Sequence, residues 1–157
     1  MAAREIEPEF HERLGRIITN WAVIDSLQTE FLAHLLQADP GSMYIMTQNV
    51  SAKTVTGWIR TMTPIHLSDQ ESQQRIADLL NKIDEMRADR NALVHGLWST
   101  ESTAGTVLVQ TVRWERAEIV KGEIWTLADL DELVDRLLPL REELHFLVKR
   151  LVEIRSN

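Results

Sequence analysis

The fold is organised around the stretch Arg90-Asn91-Ala92-Leu93-Val94-His95-Gly96-Leu97-Trp98, which closes a long predicted helix. Apolar residues recur along this helix at alternating spacings of three and four and predict one buried stripe, made of Ile76, Leu79, Ile83, Met86, Leu93 and Leu97. Arg90 falls inside the stripe. A cation is costly to desolvate among Leu, Ile and Met, so Arg90 departs from the apolar pattern of the stripe. Such departures are common at functional sites.

Three further polar or aromatic residues lie beside the stripe. At about 100° per residue, Asn91, His95 and Trp98 share one face of the predicted helix. A structural interpretation competes with a functional one here. The stem of Arg90 can cover apolar neighbours at the surface, and His95 with Gly96 can simply end the helix, with glycine in a left-handed cap.

Arg90-Asn91, three residues and then His95 resemble the signature of the HEPN superfamily, in which an Arg, often followed by Asn, precedes a His by a few residues. Trp21-Ala22-Val23-Ile24-Asp25, on the first predicted helix, resembles the aromatic-plus-acid segment of many members. The resemblance covers most of the chain and implies a small helical bundle that dimerises with its motifs facing. It also implies RNA cleavage, and pairing of a toxin with a small nucleotidyltransferase antitoxin.

Composition sets the broad class of the protein. The 157 residues suit one domain, so we expect a single HEPN-like domain over residues 1–157. The chain is 44% hydrophobic and 26% charged, without an apolar run long enough for a membrane span or a signal peptide. With no cysteine, disulfides, thiolate catalysis and cysteine-ligated zinc are excluded, and we expect a cytoplasmic protein.

The net charge of −7 weighs against an avid, nonspecific nucleic-acid binder, because phosphate neutralisation supplies most of the affinity of such proteins. An enzyme that cuts RNA can still be acidic if its cleft is locally cationic. RNA therefore remains a candidate substrate.

The first helix is predicted from about Glu7 to Gln37, with a buried stripe at spacings of three and four that contains Phe10, Leu14, Ile17, Trp21, Ile24, Phe31 and Leu35. Asp25 lies one turn after Trp21, at the edge of this stripe. It is either an exposed acid or a carboxylate turned inward that holds Arg90 or orients Asn91.

Turn and cap residues divide the next part of the chain. Asp39-Pro40-Gly41 is expected to end the first helix, and residues 42–50 are expected to form a connector with room for one helical turn. Ser51 is expected to cap a shorter helix that carries Val55, Trp58, Ile59 and Met62 and stops before Pro64. Asp69 opens the long helix that ends near Gly96.

After Gly96 the sequence turns β-branched. Trp98–Thr100, Thr106–Trp114 and Glu123–Thr126 are predicted strands, with a turn at Lys121-Gly122. This β-hairpin or meander, over about residues 98–126, either covers one end of the bundle or serves the motif, to which Trp98 links it. In the second case it would guard a cleft or recognise a partner.

The last helix should begin at a capping box made by Thr126 and Asp129 and kink at Pro139. Its predicted seam contains Leu127, Leu130, Val134, Leu137, Leu144, Val148 and Leu151. The pattern of elements predicts a mainly α fold with a small β insertion before the last helix, and the HEPN resemblance implies an up-down bundle of about four helices.

Other catalytic patterns are weak or missing. The sequence has no phosphate-binding glycine loop, dinucleotide fingerprint or nucleophile elbow. Glu142-x-x-His145 is half of a di-iron motif, and Glu30 with His34 does not supply the other half. We therefore expect no metal and no cofactor, and we interpret His11 and His66 as ordinary histidines, either at the surface or satisfied by hydrogen bonds.

Arg90, Asn91 and His95 together suit metal-independent RNA cleavage that leaves a 2′,3′-cyclic phosphate. Arg90 would stabilise phosphate charge, and His95 would transfer protons. Asn91 would orient His95, while Asp25 would position Arg90, with Trp21 and Trp98 in support.

The reaction needs both an acid and a base, whereas each chain offers one motif histidine. A two-fold homodimer would supply both in a composite site. The alternative is a non-catalytic dimeric binding or regulatory module of the same fold. Three acids beside the motif, Asp84, Glu85 and Asp89, favour that alternative.

Overall fold

The apolar stripe of the first predicted helix forms α1, which runs Pro8–Leu36 in a computed structural model that describes residues 6–101, 103–113 and 118–156. The predicted helix is confirmed to within one residue at each end. Gln37 ends α1 in the left-handed region, with a φ of 58°, and Ala38 N donates to Ala33 O at 2.9 Å. This pattern is a Schellman cap built without glycine.

A short helix, α2 (Pro40–Thr47), occupies part of the expected connector. Asp39 is its N-cap, because one carboxylate oxygen accepts from Ser42 N at 2.8 Å, and Pro40 stands in the first turn, where its missing N–H costs nothing. The interpretation of Asp39-Pro40-Gly41 as plain turn residues is therefore wrong. These residues begin a helix as well as ending one.

Ser51 caps α3 (Ala52–His66) by accepting from Thr54 N, as predicted. The expected stop before Pro64 is wrong, since the helix continues two residues beyond it. Proline removes only its own N–H, and the next bonds are intact: Leu67 N donates to Thr63 O at 2.9 Å. Near a helix end, one missing bond is tolerated.

Asp69 opens α4 (Gln70–His95) by accepting from Ser72 N at 3.0 Å. Ile76, Leu79, Ile83, Met86 and Leu93 are buried, so most of the predicted stripe is confirmed. Leu97 is the exception. It lies beyond the helix and is 46% exposed.

The segment before the last helix forms a three-stranded antiparallel sheet in the order β1 (Leu97–Thr100), β2 (Thr106–Arg113) and β3 (Glu118–Thr126). The predicted meander is confirmed among the described residues. The turn at Lys121-Gly122 is wrong, because these residues pair with Thr111 and Gln110 inside the sheet. Trp114, the expected end of the second strand, lies outside the described residues.

Gly122 lies inside β3, opposite side chains of β2. Val107 and Val109 are buried, whereas Leu108 and Gln110 lie on the other face. Gly122 faces these two side chains, and a Cβ there would lie 3.4 Å from Leu108 Cδ1. The glycine thus serves a strand, which is why its turn signal misleads.

Thr126 and Asp129 form the predicted capping box at the start of α5 (Leu127–Ser156): Asp129 N donates to Thr126 Oγ1 at 3.1 Å, and Thr126 N donates to Asp129 Oδ2 at 2.8 Å. The helix is continuous through Pro139. The described chain is therefore mainly helical, with a small antiparallel sheet before the last helix. Among the helices described, none combines enough length with enough apolar side chains to span a bilayer.

Contacts divide the chain into two compact units. The first contains the chain up to Asn20 together with Met86–Leu137, and the second contains Trp21–Glu85 together with the chain from Leu138 onward. Each boundary falls inside a helix. The expectation of one domain stays a prediction.

Candidate functional site

The end of α4, in the first unit, carries Arg90, Asn91 and His95. Arg90 is half-buried, and Asn91 and His95 are exposed. Arg90 Nη1 donates to Asn91 Oδ1 at 2.9 Å, so the two neighbours form one polar group. Arg90 also makes at least one further polar or electrostatic interaction. The guanidinium is thus held in place at an accessible surface.

Asn91 contacts Arg90, and no hydrogen bond joins Asn91 to His95 among the described residues. The amide oxygen accepts from the guanidinium, which leaves the amide nitrogen for another partner. In this structure Asn91 therefore orients Arg90. Its predicted role in orienting His95 stays a prediction.

His95 is the last residue of α4, and Gly96 fixes where the chain turns away from the helix. A Cβ at Gly96 would lie 2.4 Å from Ala92 O and 2.6 Å from Val109 Cγ1, so only glycine fits. The left-handed cap considered for Gly96 is wrong. Among the glycines that the structure describes, only Gly105 has a positive φ. Close packing, rather than backbone handedness, requires the glycine beside His95.

Trp98 holds the junction between α4 and β1. Its indole Nε1 donates to Leu93 O at 2.7 Å, and this carbonyl is one of those that a helix end leaves without an intrahelical partner. The indole ring also meets Phe10 edge-on, with centroids 6.4 Å apart. Trp98 therefore supports the motif through the backbone, and its only side-chain donor is already used.

Acidic groups lie next to the motif in the first unit. Asp89 precedes Arg90 and lines a cavity of about 290 Å³ with Glu123, Asp129 and Glu132, where Arg136 is the cation. The hydrogen bond that Lys121 Nζ donates to the Glu123 carboxylate raises the pKa of Lys121, and the charge of Asp89 adds to this effect. This neighbourhood favours cations over phosphate.

The two supporting residues on α1 belong to the second unit. Trp21 is 1% exposed and is a core residue. Asp25 is half-buried, with its Oδ1 atom enclosed, so it is not the fully exposed acid of the competing interpretation. Both residues make a polar, ring or electrostatic interaction. The predicted link from Asp25 to Arg90 stays a prediction.

The histidines outside the motif do not assemble a metal site within the described part of the chain, which has no group of three suitable ligands. Glu142 and His145 are exposed on α5. His34 Nε2 lies 3.8 Å from Glu30 Oε1, as a simple pair on one helix. His11 and His66 are exposed, which agrees with their interpretation as surface residues.

A second polar cluster, in the second unit, was missed by sequence reasoning. Gln28, Thr29, Thr47 and Thr56 are all buried, and three of them line a cavity of about 320 Å³. The signal was present in the stripe of α1. Gln28 occupies the position between Ile24 and Phe31 where the spacing demands an apolar residue.

A scan against protein-family models gave no match, and searches of curated proteins and of solved structures gave none either.

Proposed function

We propose that this protein is a metal-independent endoribonuclease of the HEPN type, with an up-down helical bundle as its fold. The observation that carries the proposal is the end of α4, where a guanidinium held by Asn91 lies five residues before an exposed imidazole. Such an enzyme suits the toxin of a toxin–antitoxin or phage-defence system. A nucleotidyltransferase-type antitoxin is the corresponding partner.

The reaction begins with attack of an RNA 2′-oxygen on the adjacent phosphorus. The 2′-hydroxyl proton passes to a neutral imidazole of His95, and a new O–P bond forms. The bond from phosphorus to the 5′-oxygen breaks, and that oxygen takes a proton from a protonated imidazole. The products are a 2′,3′-cyclic phosphate and a free 5′-hydroxyl.

Arg90 has the geometry for the charge that develops on the phosphate. Its planar fork presents several N–H donors, and one of them is already fixed by Asn91. Donors that are held before the reaction avoid reorganisation during it, which is the basis of electrostatic catalysis. We assign Arg90 to the phosphate and Asn91 to the position of Arg90.

A homodimer completes the site, because the reaction needs one histidine as base and another as acid. Two-fold symmetry would place two copies of Arg90 and His95 in one groove. Light scattering tests this requirement. A monomer that cleaves RNA would contradict the composite site.

A non-catalytic binding module is the second candidate, and a specific observation favours it. Asp89 and its acidic neighbours give the end of α4 a local field that repels phosphate. In such a module, Arg90 and Asn91 would bind a partner or pack a dimer without turnover.

The test is incubation of the purified protein with structured RNA in EDTA, beside Arg90→Ala and His95→Ala. His145→Ala is the matched control, because His145 is an exposed helical histidine outside the motif. We expect cleavage by the native protein and by the control only. Cleavage that survives both motif substitutions rejects the site, and no cleavage by any version supports the binding module.

A further inference from the structure

The cavity of about 320 Å³ in the second unit lies among α1, α2 and the start of α3. Its polar lining residues include Asp25, Gln28, Thr29, Tyr44 and Thr47, and its apolar wall includes Val55. This volume is at the small end of the range of about 300–1,000 Å³ for ligand pockets. The cavity is therefore large enough for a short ligand with polar ends.

The charge in the lining of this cavity is negative. Asp25 is the only charged lining residue, and the lining contains no Lys, Arg or His. A phosphate or carboxylate ligand would find no counter-charge there. The lining thus excludes anions and favours a ligand that carries positive charge.

The hydroxyl groups of the lining offer oxygen lone pairs and few hydrogens. Thr29 Oγ1 donates to Asp25 O at 3.3 Å, and Thr47 Oγ1 donates to Met43 O at 2.9 Å. Tyr44 Oη donates to Ser26 O at 3.1 Å and also shares a hydrogen bond with Ser26 Oγ. Because each hydroxyl has one hydrogen, these bonds leave the three oxygens as acceptors only.

Gln28 is 1% exposed, and its amide nitrogen has no hydrogen-bond partner among the described residues. Its Oε1 lies 2.6 Å from Thr56 Oγ1, which also lies 2.9 Å from Ala52 O. The single hydroxyl hydrogen of Thr56 cannot serve both oxygens.

Interchanging the amide nitrogen and oxygen of Gln28 removes this conflict, because the Thr56 hydroxyl then needs to donate to only one oxygen. The nitrogen then donates to Thr56 Oγ1, which donates to Ala52 O, as Thr29 and Thr47 donate to carbonyls of their own helices. In that arrangement the enclosed atom without a hydrogen-bond partner is an oxygen, and the amide nitrogen keeps one further hydrogen. The Gln28 oxygen is then an acceptor, as are the hydroxyl oxygens of the lining.

We propose that this cavity binds a small organic cation with several N–H donors, of the short-diamine or alkylguanidine class. The carboxylate of Asp25 supplies the counter-charge, and the oxygens of Thr47 and Gln28 accept from the ligand. Asp25 already makes another interaction, but a carboxylate offers about four acceptor sites, so a ligand N–H adds to it. The aromatic ring of Tyr44, 41% exposed, adds a face that attracts cations.

Calorimetric titration of the full chain with putrescine and with agmatine tests the proposal. The neutral analogue 1,4-butanediol and the anion succinate have similar lengths and serve as ligand controls. We expect saturable binding of a cation at millimolar or lower concentration, and no binding of either control. No heat from either cation, or equal binding of butanediol, overturns the proposal.

Variants locate the binding. Asp25→Asn should weaken it by at least about tenfold, because a charge-assisted bond is lost, and Thr47→Val should weaken it several-fold while keeping the shape of the side chain. Glu30→Gln is the matched control, since it removes a carboxylate from the same helix outside the cavity. Full affinity in both cavity variants contradicts the assignment. Binding is measured without RNA, so its failure is distinct from a failure of the ribonuclease proposal.

Discussion

The end of α4 and the cavity of the second unit are both polar clusters, but they differ in burial. Asn91 and His95 are exposed, whereas Gln28 and Thr56 are each 1% exposed. An exposed polar side chain costs the folded state almost no free energy. Its presence is therefore not informative by itself, and only its chemistry suggests a function. A buried group without a partner costs about 1–3 kcal/mol, so its presence is itself informative.

The largest expected effect is on RNA cleavage, which depends on the exposed residues at the end of α4 and which their substitution should affect without changing stability. His95→Gln removes the proton-transfer group and should lower RNA cleavage in EDTA by about 100-fold or more. The free energy of unfolding should change by less than about 0.5 kcal/mol, because His95 is exposed. Cleavage assays and urea titrations check the two expectations, with His145→Gln as control. An equal loss of cleavage in the control would remove His95 from the proposed chemistry.

Gly96→Ala should show that the exposed cluster depends on close packing behind it. The added Cβ meets Ala92 O at 2.4 Å, so we expect a loss of about 1–3 kcal/mol in the free energy of unfolding. Gly15→Ala is the matched control. It has no atom within 4 Å of its Cβ and lies inside α1, so it should stabilise by about 0.5–1 kcal/mol. Similar effects in both variants would refute the packing argument.

Gln28→Leu should reveal the cost of burying an amide that is only partly satisfied. We expect a gain of about 1 kcal/mol in the free energy of unfolding, measured by urea titration, because the leucine has similar volume and fits the apolar stripe. Thr56 keeps its bond to Ala52 O. Gln48→Leu, at an exposed position, should change stability little. A clear loss of stability in Gln28→Leu would mean that the amide is well satisfied.

The smallest effect concerns an exposed polar residue that does stabilise the fold. Hydrogen bonds from the backbone and hydroxyl of Thr126 lower the pKa of Asp129. A lowered folded-state pKa adds stability above the unfolded value of about 4, and this stability is lost as pH falls through the folded-state value. Asp129→Asn should therefore lose about 0.5 kcal/mol at pH 7, with the difference shrinking below about pH 4. A difference independent of pH would contradict the role of the carboxylate.

Sequence patterns predicted the helices and caps that are determined by residues close together in the chain. The helix α1, the Ser51 cap and the Thr126–Asp129 box need only neighbouring residues, and the structure confirms them. Pro64 and Gly122 misled because a helix end tolerates one missing bond, and because a glycine can pair inside a strand without forming a turn. Both outcomes depend on surroundings that sequence spacing does not encode.

In the candidate site, too, contacts between sequence neighbours could be predicted, and contacts that depend on the tertiary structure could not. Arg90 and Asn91 are adjacent in sequence, so their association was accessible from the pattern. The bond from Trp98 to Leu93 O depends on how the chain leaves α4 at Gly96, and periodicity alone placed Trp98 on a helix instead. Gln28 is the one polar residue in the apolar stripe of α1. The spacing that identifies the stripe gives no reason for the burial of an amide at this position.

The most direct test of the central claim is the chemistry of the RNA ends produced in EDTA. Mass spectrometry of the cleaved fragments should find 2′,3′-cyclic phosphate on one side of the cut and 5′-hydroxyl on the other, with both lost in Arg90→Ala. Fragments that carry 3′-hydroxyl and 5′-phosphate ends would contradict attack by the 2′-oxygen, and with it the roles assigned to Arg90 and His95.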